Sequence, residues 1–341
     1  MLNLLFPLIA TFALAIIAIP LVRQIALIRG WTDKPDGRKI HIGAIPSVGG
    51  LGIFISIIPI LIYGIQYHDS TYNAWLIGST LLVITGWADD IFDMPATFKL
   101  MVQLAASYLV ASAGLRIESL YGILGIYELH IVAQYLLTMI IIAGITNALN
   151  LMDGINGLVG GFFIIALVAW LPGLQIHLKF MALAFIGATT TYLYFNTVKK
   201  QMFLGDAGSL LIGYTLSVLA LHLINNPIET SINNYLPLIT SILFWPVADT
   251  LRVMLTRIAK GKSPFSPDRT HLHHLVLDVM KSHNFSSLTI LLFVVAGAFI
   301  SQLIELPLTL MLVLQFAMPI VTSMVFSKLK TFKRQGVLLV A

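Results

Sequence analysis

The chain has 341 residues, of which 58% are hydrophobic and only 10% are charged. A soluble globular domain carries roughly 25% charged residues, so this composition excludes that class and indicates a polytopic membrane protein. The absence of cysteine excludes disulfide and thiolate chemistry, and we interpret the net charge of +5 as a topological signal and not as a nucleic-acid-binding surface.

Eleven apolar segments predict membrane-spanning helices, which need about 20 mostly apolar residues each. No repeat, low-complexity tract or soluble domain separates them, so residues 1–341 are predicted to form one all-α transmembrane domain. The first segment is too long for a signal peptide and lacks a small-residue cleavage site, which favours a retained helix. The predicted spans are 3–22, 48–67, 74–90, 98–115, 131–150, 157–176, 180–197, 205–224, 235–255, 286–304 and 306–327.

The charged residues predict how these spans are oriented. With the N-terminus outside and the C-terminus in the cytoplasm, every Lys and Arg except Arg116 and Lys179 lies on the cytoplasmic side. The same topology puts all Glu residues and Asp69 outside, and every other Asp on or near the cytoplasmic side. Because Asp is a natural ligand for Mg²⁺, we predict a single cytoplasm-facing site. Its loops are 23–47, 90–98, 150–157, 198–206 and 257–285.

The first motif on that side is TDKPDGRKIHIGAIPSVGG, residues 32–50. It combines Arg38, Lys39 and His41 with two prolines and a terminal Gly-Gly pair. One interpretation is a basic juxtamembrane loop that binds anionic lipid head groups. The alternative is that the three basic side chains bind an anionic substrate.

The second motif ends an apolar run in three carboxylates, in LLVITGWADDIFDMP, residues 81–95. Asp costs roughly 2.5–3.5 kcal/mol at the centre of a membrane helix, and acids at a helix C-terminus are unfavourable without a cation. Asp89, Asp90 and Asp93, followed by Lys99, therefore predict a catalytic site for Mg²⁺ and phosphate. A solvated helix end is the alternative interpretation.

The third motif is NALNLMDGING, residues 147–157. Asn147, Asn150, Asp153 and Asn156 recur every three residues, which on a helix gives one drifting polar stripe. Two glycines permit a ligand to approach the backbone closely. We predict a substrate-binding segment, with hydrogen bonding between membrane helices as the alternative.

The fourth motif is FNTVKKQMFLGDAGSLLIG, residues 195–213, in which Gly205 and Asp206 open an apolar helix. A helix N-terminus preceded by glycine suits phosphate, and Asp206 suits the metal that accompanies phosphate. A plain Asp N-cap is the alternative. Asn196 and Phe203 could hydrogen-bond to and stack on a base, although a lone Phe usually packs in the core.

The fifth motif is SPFSPDRTHLHHL, residues 263–275, where His271, His273 and His274 follow Asp268 and Arg269. A zinc site is disfavoured because the chain has no Cys. Histidines and an Arg in a cytoplasmic loop suit a diphosphate and sugar hydroxyls better. Five such motifs on one side of the membrane favour one shared site.

The segments WADDIFD, NALNLMDGING, FLGDAGSL and SPFSPDRTHLHH together resemble the polyprenyl-phosphate N-acetylhexosamine-1-phosphate transferases of glycosyltransferase family 4. The resemblance runs from about Asp33 to Leu275, and eleven spans agree with that family. DRTHLHH is similar to the WecA/TagO-like branch, whereas the related MraY branch has three consecutive histidines, which Leu272 interrupts here. WecA-like sequences often carry a second Asp where this chain has Asn156.

The resemblance implies that N-acetylhexosamine 1-phosphate moves from a UDP-sugar to undecaprenyl phosphate, with release of UMP. GlcNAc 1-phosphate is the expected group, and transfer from another UDP-N-acetylated sugar is the alternative. The resemblance implies Mg²⁺ as well, with Mn²⁺ as the alternative ion, held by Asp206 and Asp90. Asp89 and Asp90 would lie where metal and lipid phosphate meet, near Asp93, and Lys99 would steady that phosphate. Asp89 could be a base or a covalent nucleophile, but a phosphate monoester is largely ionised near neutral pH, which favours direct attack.

The resemblance also implies a binding role for the remaining motif residues. Asn150, Asp153, Asn196 and Phe203 would form the nucleotide pocket, with Asn147 and Asn156 beside them. The diphosphate and the sugar would be bound by Arg38, Lys39, His41, Asp268, Arg269, His271, His273 and His274.

A multi-pass location in the bacterial inner membrane follows from this resemblance, with the active site facing the cytoplasm. The expected partners are the UDP-sugar, undecaprenyl phosphate and the lipid bilayer, and no nucleic acid. The product would initiate a cell-surface polysaccharide such as lipopolysaccharide, O-antigen or teichoic acid. The sequence leaves open the sugar, the polymer and the choice between a monomer and a homodimer.

Three other protein classes share part of the pattern. Prenyl-transferring membrane enzymes also use DDxxD, but they carry a second Asp-rich motif that this chain lacks. CDP-alcohol phosphotransferases carry a DGxxAR-type signature, whereas Asp153-Gly154 is followed here by Ile-Asn-Gly-Leu. A transporter of phosphorylated solutes is the alternative from another class. It should place ionisable groups near the membrane midplane, whereas here they are predicted at one surface.

Overall fold

A computed structural model describes residues 2–32, 45–225, 232–264 and 269–335. Within these ranges the chain is all-helical and has no β-strand, which confirms the predicted class. The helices are α1 (Leu2–Arg29), α2 (Gly49–Ile65), α3 (Ser70–Phe92), α4 (Ala96–Ser112), α5 (Ile131–Met152), α6 (Leu158–Trp170), α7 (Ile176–Leu193), α8 (Gly205–Asn225), α9 (Ile232–Ala259), α10 (Leu272–Met280), α11 (His283–Leu303) and α12 (Leu308–Arg334).

The apolar helices make the chain a multi-pass membrane protein. Eight of the described helices are long and apolar enough to cross a membrane, and α2, α4 and the α6 segment are apolar but shorter. Each predicted span overlaps one of these helices. The short helix α10 was not predicted, and it lies inside the loop 257–285.

Several helices are longer than their apolar runs, and in α3 and α12 polar contacts accompany the extension. α3 begins at Ser70 and not at residue 74, since the Asp69 side chain accepts hydrogen bonds from the amides of Thr71 and Tyr72 and caps the helix. α12 continues to Arg334 instead of ending near residue 327. Its last turns bind α10, through an ion pair of 2.6 Å between Lys330 and Asp278 and other polar contacts. Hydropathy alone detects neither contact.

α8 is the central helix, and its residues from Ala207 to Leu223 are buried. It packs against α2, α3 and α5. A Cβ atom at Gly50 of α2 would collide with the Gly208 backbone, and one at Gly86 of α3 would collide with the Ala207 backbone. Small residues allow membrane helices to approach this closely. The packing holds the N-terminus of α8 against the C-terminus of α3.

Candidate active site

The ends of four helices meet around a cluster of carboxylates. The Lys99 ammonium of α4 lies 2.7 Å from Asp89 Oδ2 of α3 and 3.0 Å from Asp206 Oδ2 of α8. The Asn150 amide at the end of α5 donates hydrogen bonds of 2.9 Å to Asp206 Oδ1 and to the Ser209 hydroxyl. Four predicted site residues from distant parts of the sequence are therefore in direct contact. Ser209 was not among the predicted residues.

The turn between α3 and α4 places Lys99 beside Asp89. Asp93 ends α3 in the left-handed backbone region (φ 52°), and its amide donates to the Asp89 carbonyl. Pro95, which cannot donate a backbone hydrogen bond, then precedes the first turn of α4. The Asp89 carboxylate also accepts a hydrogen bond of 2.7 Å from the Met94 amide. Asp93 thus shapes the turn through its backbone, and its side chain is exposed.

Asp90 occupies the α8 N-terminus, where the sequence predicts a phosphate. One Asp90 oxygen accepts a hydrogen bond of 3.1 Å from the Asp206 amide, and the other lies 3.5 Å from the Ala207 amide. A helix N-terminus attracts an anion through its unpaired amides and its dipole. Gly205 has a left-handed φ of +75°, and a Cβ there would lie 2.6 Å from the Asp90 carboxylate. In this structure the Asp90 carboxyl group occupies that position.

Asp153 adds a fourth carboxylate to the cluster. It follows the last residue of α5, where burial and the negative charge of Asp206 raise the pKa of the Asp153 carboxyl to about 7. Asp90 is also close enough to interact electrostatically with Asp89 and Asp206. Lys99 contacts two of these four acids directly, Asp89 and Asp206. Such an excess of negative charge favours the binding of a further cation.

The oxygen-rich donor set fits Mg²⁺. In the described part of the chain, no three acidic or histidine side chains form a complete set of metal ligands. Mg²⁺ usually takes only one or two protein carboxylates and completes its shell with water and substrate phosphates, so the donors present are sufficient in kind. Asp206 and Asp90, which meet at the start of α8, are the residues that would hold the ion.

Asn196 uses its side chain to tie two segments of the site together. It lies in a short π-helical segment, Tyr194–Val198, at the end of α7, and π-helical turns are frequent at functional sites. The buried Asn196 amide accepts a hydrogen bond of 2.7 Å from Gly157 N and donates one of 2.9 Å to the Met202 carbonyl. The Asn156 amide donates to the Asn196 carbonyl at 3.1 Å. These contacts differ from the predicted hydrogen bond between Asn196 and a base.

The first motif loop and the segment before α8 are joined by backbone pairing. Phe203 N donates to the Pro46 carbonyl at 3.0 Å, and Gly49 N donates to the Phe203 carbonyl at 2.9 Å. Phe203 is half-buried at this junction. Four predicted substrate-binding residues lie outside the described residues. They are Arg38, Lys39, His41 and Asp268.

The three histidines converge at the start of α10. The rings of His271 and His273 stack with centroids 5.7 Å apart, and those of His273 and His274 lie 4.2 Å apart. His273 packs so tightly on Gly154 that a Cβ there would overlap its imidazole. This contact joins the histidine loop to the turn after Asp153. Burial, together with the nearby His274 and His271, holds the pKa of His273 well below its usual value, so its ring is neutral near pH 7.

Two predicted binding residues have other surroundings. Arg269 is half-exposed and lies 3.9 Å from the Asp278 carboxylate of α10. Asn147 lines an apolar cavity, whereas Asn150 faces Asp206. Side chains three residues apart on a helix point in directions that differ by about 60°. Members of the polar stripe in the third motif therefore face different partners.

The apolar cavity lies between α5, α8 and α9 and has a volume of about 520 Å³. It extends from Tyr121, in the loop between α4 and α5, to Asn147 and Met254, near the helix ends that carry the site. Its wall consists mainly of Ile, Leu and Val side chains. A cavity of this size and character can accommodate part of an apolar chain.

Asp249 of α9 is a further candidate site residue, and it was absent from the sequence-based prediction. Its carboxylate lies 3.0 Å from His271 Nδ1 and 2.6 Å from the Arg252 guanidinium. The available signal was an Asp within an apolar span, followed three residues later by Arg252. An ionisable residue in such a segment requires a partner, and here the partners are a cation and a motif histidine.

Sequence comparison supports the resemblance. The profile of glycosyl transferase family 4 matches residues 72–224. A Bacillus subtilis (strain 168) protein described as a probable undecaprenyl-phosphate N-acetylglucosaminyl 1-phosphate transferase is 33% identical over 283 residues, covering 81% of this chain and 78% of the relative.

Two enterobacterial relatives are described as undecaprenyl-phosphate alpha-N-acetylglucosaminyl 1-phosphate transferases. The Salmonella typhi protein is 35% identical and the Escherichia coli (strain K12) protein is 33% identical, each over 286 residues. Both alignments cover 79% of this chain and 75% of the relative. From these alignments and from the contacts among its motif residues, we conclude that the chain belongs to glycosyl transferase family 4.

Proposed function

We propose that the protein transfers N-acetylglucosamine 1-phosphate from UDP-N-acetylglucosamine to undecaprenyl phosphate and releases UMP. The observation that carries the proposal is the bridge from Asp89 through Lys99 to Asp206 at one end of α8. Helix α5 contributes Asn150 to this charged site and also lines the apolar cavity. A site for phosphates and a cavity for a lipid chain therefore share one helix. The descriptions of the relatives support the choice of both substrates.

The reaction is a displacement at phosphorus. An oxygen of the lipid phosphate attacks the phosphorus that bears the sugar, and the bond from that phosphorus to the UMP oxygen breaks. UMP leaves with the bonding electron pair, and the lipid gains a diphosphate linkage to the sugar. Because a phosphate monoester is largely ionised near neutral pH, the attack needs no base. The barrier therefore lies mainly in bringing two anions together.

The residues of the cluster lower that barrier electrostatically. Asp206 and Asp90 would hold Mg²⁺, or Mn²⁺ in its place, and the bound ion would offset phosphate charge. Lys99 adds a positive charge at the same point, where we place the lipid phosphate. Asn150 fixes the orientation of Asp206 through its hydrogen bond. Charges and dipoles held in place before the reaction stabilise a transition state without reorganising.

The proposed topology has eleven spans, an external N-terminus and a site facing the cytoplasm of a bacterial inner membrane. Parity of the helices supports it. If each apolar helix from α3 to α8 crosses the membrane once, the end of α3, the end of α5 and the start of α8 lie on the same side. Asp89, Asn150 and Asp206 occupy those ends and are in one cluster. The distribution of Lys and Arg makes that side cytoplasmic.

The decisive experiment is product analysis with purified protein. We expect UMP and a lipid-linked diphosphate sugar when the protein is incubated with Mg²⁺, undecaprenyl phosphate and UDP-N-acetylglucosamine. Asp206→Asn is the matched control, because it keeps the size of the side chain but is a poorer Mg²⁺ ligand. Solute movement across vesicles without UMP or lipid product would instead support the transporter and refute the proposal.

A further inference from the structure

Asp249 is fixed by contacts that distinguish its two carboxylate oxygens. Oδ1 accepts hydrogen bonds of 2.6 and 3.2 Å from Arg252, and the Ser323 hydroxyl lies 3.4 Å away. Oδ2 lies 3.0 Å from His271 Nδ1. The Leu272 amide lies 3.1 Å from Oδ1 and 3.0 Å from Oδ2. Arg252 and His271 therefore occupy different oxygens of one carboxylate.

This arrangement defines which nitrogen of His271 carries the proton. A carboxylate only accepts hydrogen bonds, so Nδ1 must be protonated to donate to it. In the neutral ring, Nε2 is then an acceptor with a free lone pair. Asp249 thus selects the Nδ1–H tautomer and orients the ring.

The other ring nitrogen of His271, Nε2, lacks a hydrogen-bond partner among the described residues. It is buried, and buried polar atoms in native structures normally have such a partner. A small cavity of about 20 Å³ borders His271 and Asp249, which is enough space for one water-sized polar group. His273 also borders this cavity and packs on Gly154, which follows Asp153 in the chain.

We propose that Asp249 is a positioning residue: it holds His271 as the Nδ1–H tautomer, so that Nε2 accepts a hydrogen bond from an O–H or N–H group of the transferred sugar. The identity of the sugar rests on the proposed function above. The tautomer can be measured without any turnover, which separates the two proposals.

Asp249→Asn distinguishes this role from simple capping of α10. Because the Arg252 cation requires an oxygen, the Asn carbonyl takes the place of Oδ1 and keeps the contacts with Arg252 and Leu272. Its NH₂ group then replaces Oδ2 and faces His271 Nδ1, which must give up its proton. The ring is thereby forced into the Nε2–H tautomer. The same exchange in a Ser–His–Asp triad preserves the geometry and lowers kcat about 10⁴-fold.

The test combines nitrogen NMR with kinetics on the full-length purified protein. In ¹⁵N-histidine-labelled protein, His271 is assigned by the signals that disappear in His271→Gln. We expect a protonated Nδ1 in the wild type and a protonated Nε2 in Asp249→Asn. With UDP-N-acetylglucosamine, kcat/KM should fall about 10- to 100-fold in Asp249→Asn. The double variant should be no slower than His271→Gln alone, because Asp249 acts through the ring.

Ser323→Ala is the matched control, because it removes a contact to the same carboxylate but leaves the imidazole in place. Its tautomer and kinetics should match the wild type. The proposal is overturned if Asp249→Asn keeps the Nδ1–H signal, or if the tautomer reverses and kcat/KM changes by less than about twofold. The proposal is also overturned if Asp249→Asn lowers kcat/KM as strongly in the His271→Gln background as it does in the wild type. If the wild type forms no lipid product, the proposed function fails, while the spectra still decide the tautomer.

Discussion

Lys99 is the residue on which the charge balance of the site depends. It contacts Asp89 and Asp206 at once, and these acids have Asp90 and Asp153 nearby. Removing one partner from a buried charge cluster leaves the others uncompensated. Substitutions that keep the size of one of these side chains but change its charge therefore test its role in the site.

Asp206→Asn, Asp90→Asn and Asp89→Asn should each leave the fold intact and remove most turnover. The amide is a poorer Mg²⁺ ligand than the carboxylate, and it does not pair with Lys99 as an anion. Turnover rates and thermal unfolding of the purified variants check this. A chelator should stop the wild-type reaction, and added Mg²⁺ should restore it. Near-normal rates in all three variants would show that the metal and phosphate site lies elsewhere.

Asp153→Asn should change how stability depends on pH. The folded-state pKa of Asp153 is raised to about 7, above the usual value near 3.9, so between these values the folded form holds a proton that the unfolded form has released. The free energy of unfolding therefore falls as the pH rises from about 4 to about 7. In chelator, the Tm of the variant should match the wild type near pH 4 and exceed it at pH 8. Equal Tm values at both pH values would contradict this assignment.

The helices contribute through their ends and through close approach. α8 supplies Asp206 and the backbone amides that bind Asp90. Gly50 of α2 and Gly86 of α3 have no side chain, which allows both helices to contact the α8 backbone closely. α10 presents the histidines at its N-terminus, and its other end is attached to α12 through the Asp278–Lys330 ion pair. The site is thus built on helix termini that buried packing holds in place.

Gly86→Ala should destabilise the protein, because the new methyl group collides with the backbone of α8. Overpacking of this kind costs about 1–3 kcal/mol, which should appear as a lower Tm. Gly144→Ala is the control, since no atom of the described residues lies within 4 Å of a Cβ at that helical position. A Tm for Gly86→Ala equal to that of Gly144→Ala would mean that α3 and α8 are less tightly packed than described.

The histidine loop and α10 should determine the donor. We expect transfer from UDP-N-acetylglucosamine and refusal of UDP-N-acetylmuramoyl-pentapeptide, since the loop resembles the WecA/TagO-like branch. A site that hydrogen-bonds particular groups discriminates strongly, because a wrong donor leaves buried polar groups unpaired. UDP-N-acetylgalactosamine should react more slowly but measurably if water reaches the epimeric hydroxyl. A side-by-side assay at equal concentrations decides, and rapid transfer from the pentapeptide donor alone would reject this branch.

At the scale of the whole molecule, the predicted topology separates charge by side of the membrane. Basic residues and most Asp residues collect at one predicted face, and the Glu residues at the other. At the opposite end from the site, Asp69 caps α3 and lies 3.0 Å from His177 of α7. The hydrogen bond from His177 is the largest influence that holds the pKa of Asp69 well below its usual range. That end therefore has its own polar contacts, independent of the active site.

Topology reporters should confirm this separation. Fusions after Lys99, Lys200 or Lys281 should report a cytoplasmic location, and fusions near Asp69 or Glu229 an external one. The physical reason is the bias of Lys and Arg towards the cytoplasmic side. A cytoplasmic signal near Asp69 would be incompatible with the eleven-span topology and would place the ends of α3 and α5 on different sides.

The sequence by itself determined the membrane class and the positions of the apolar helices. It also singled out Asp89, Lys99, Asn150 and Asp206, which the structure brings into contact. Apolar run length and the rarity of charge in such a chain make these features visible without a structure. The family was also identified from motifs, and the alignments confirm it.

Only the tertiary structure decided which partner each polar group has. Asp90 binds the α8 amides, Asn196 ties two loops together, and Asn147 faces the apolar cavity instead of Asp206. Asp249 emerged as the partner of His271, although 22 residues separate them in the chain. The physical reason is that hydrogen bonding depends on direction and on distances near 3 Å, which long-range helix packing sets and local sequence patterns do not encode.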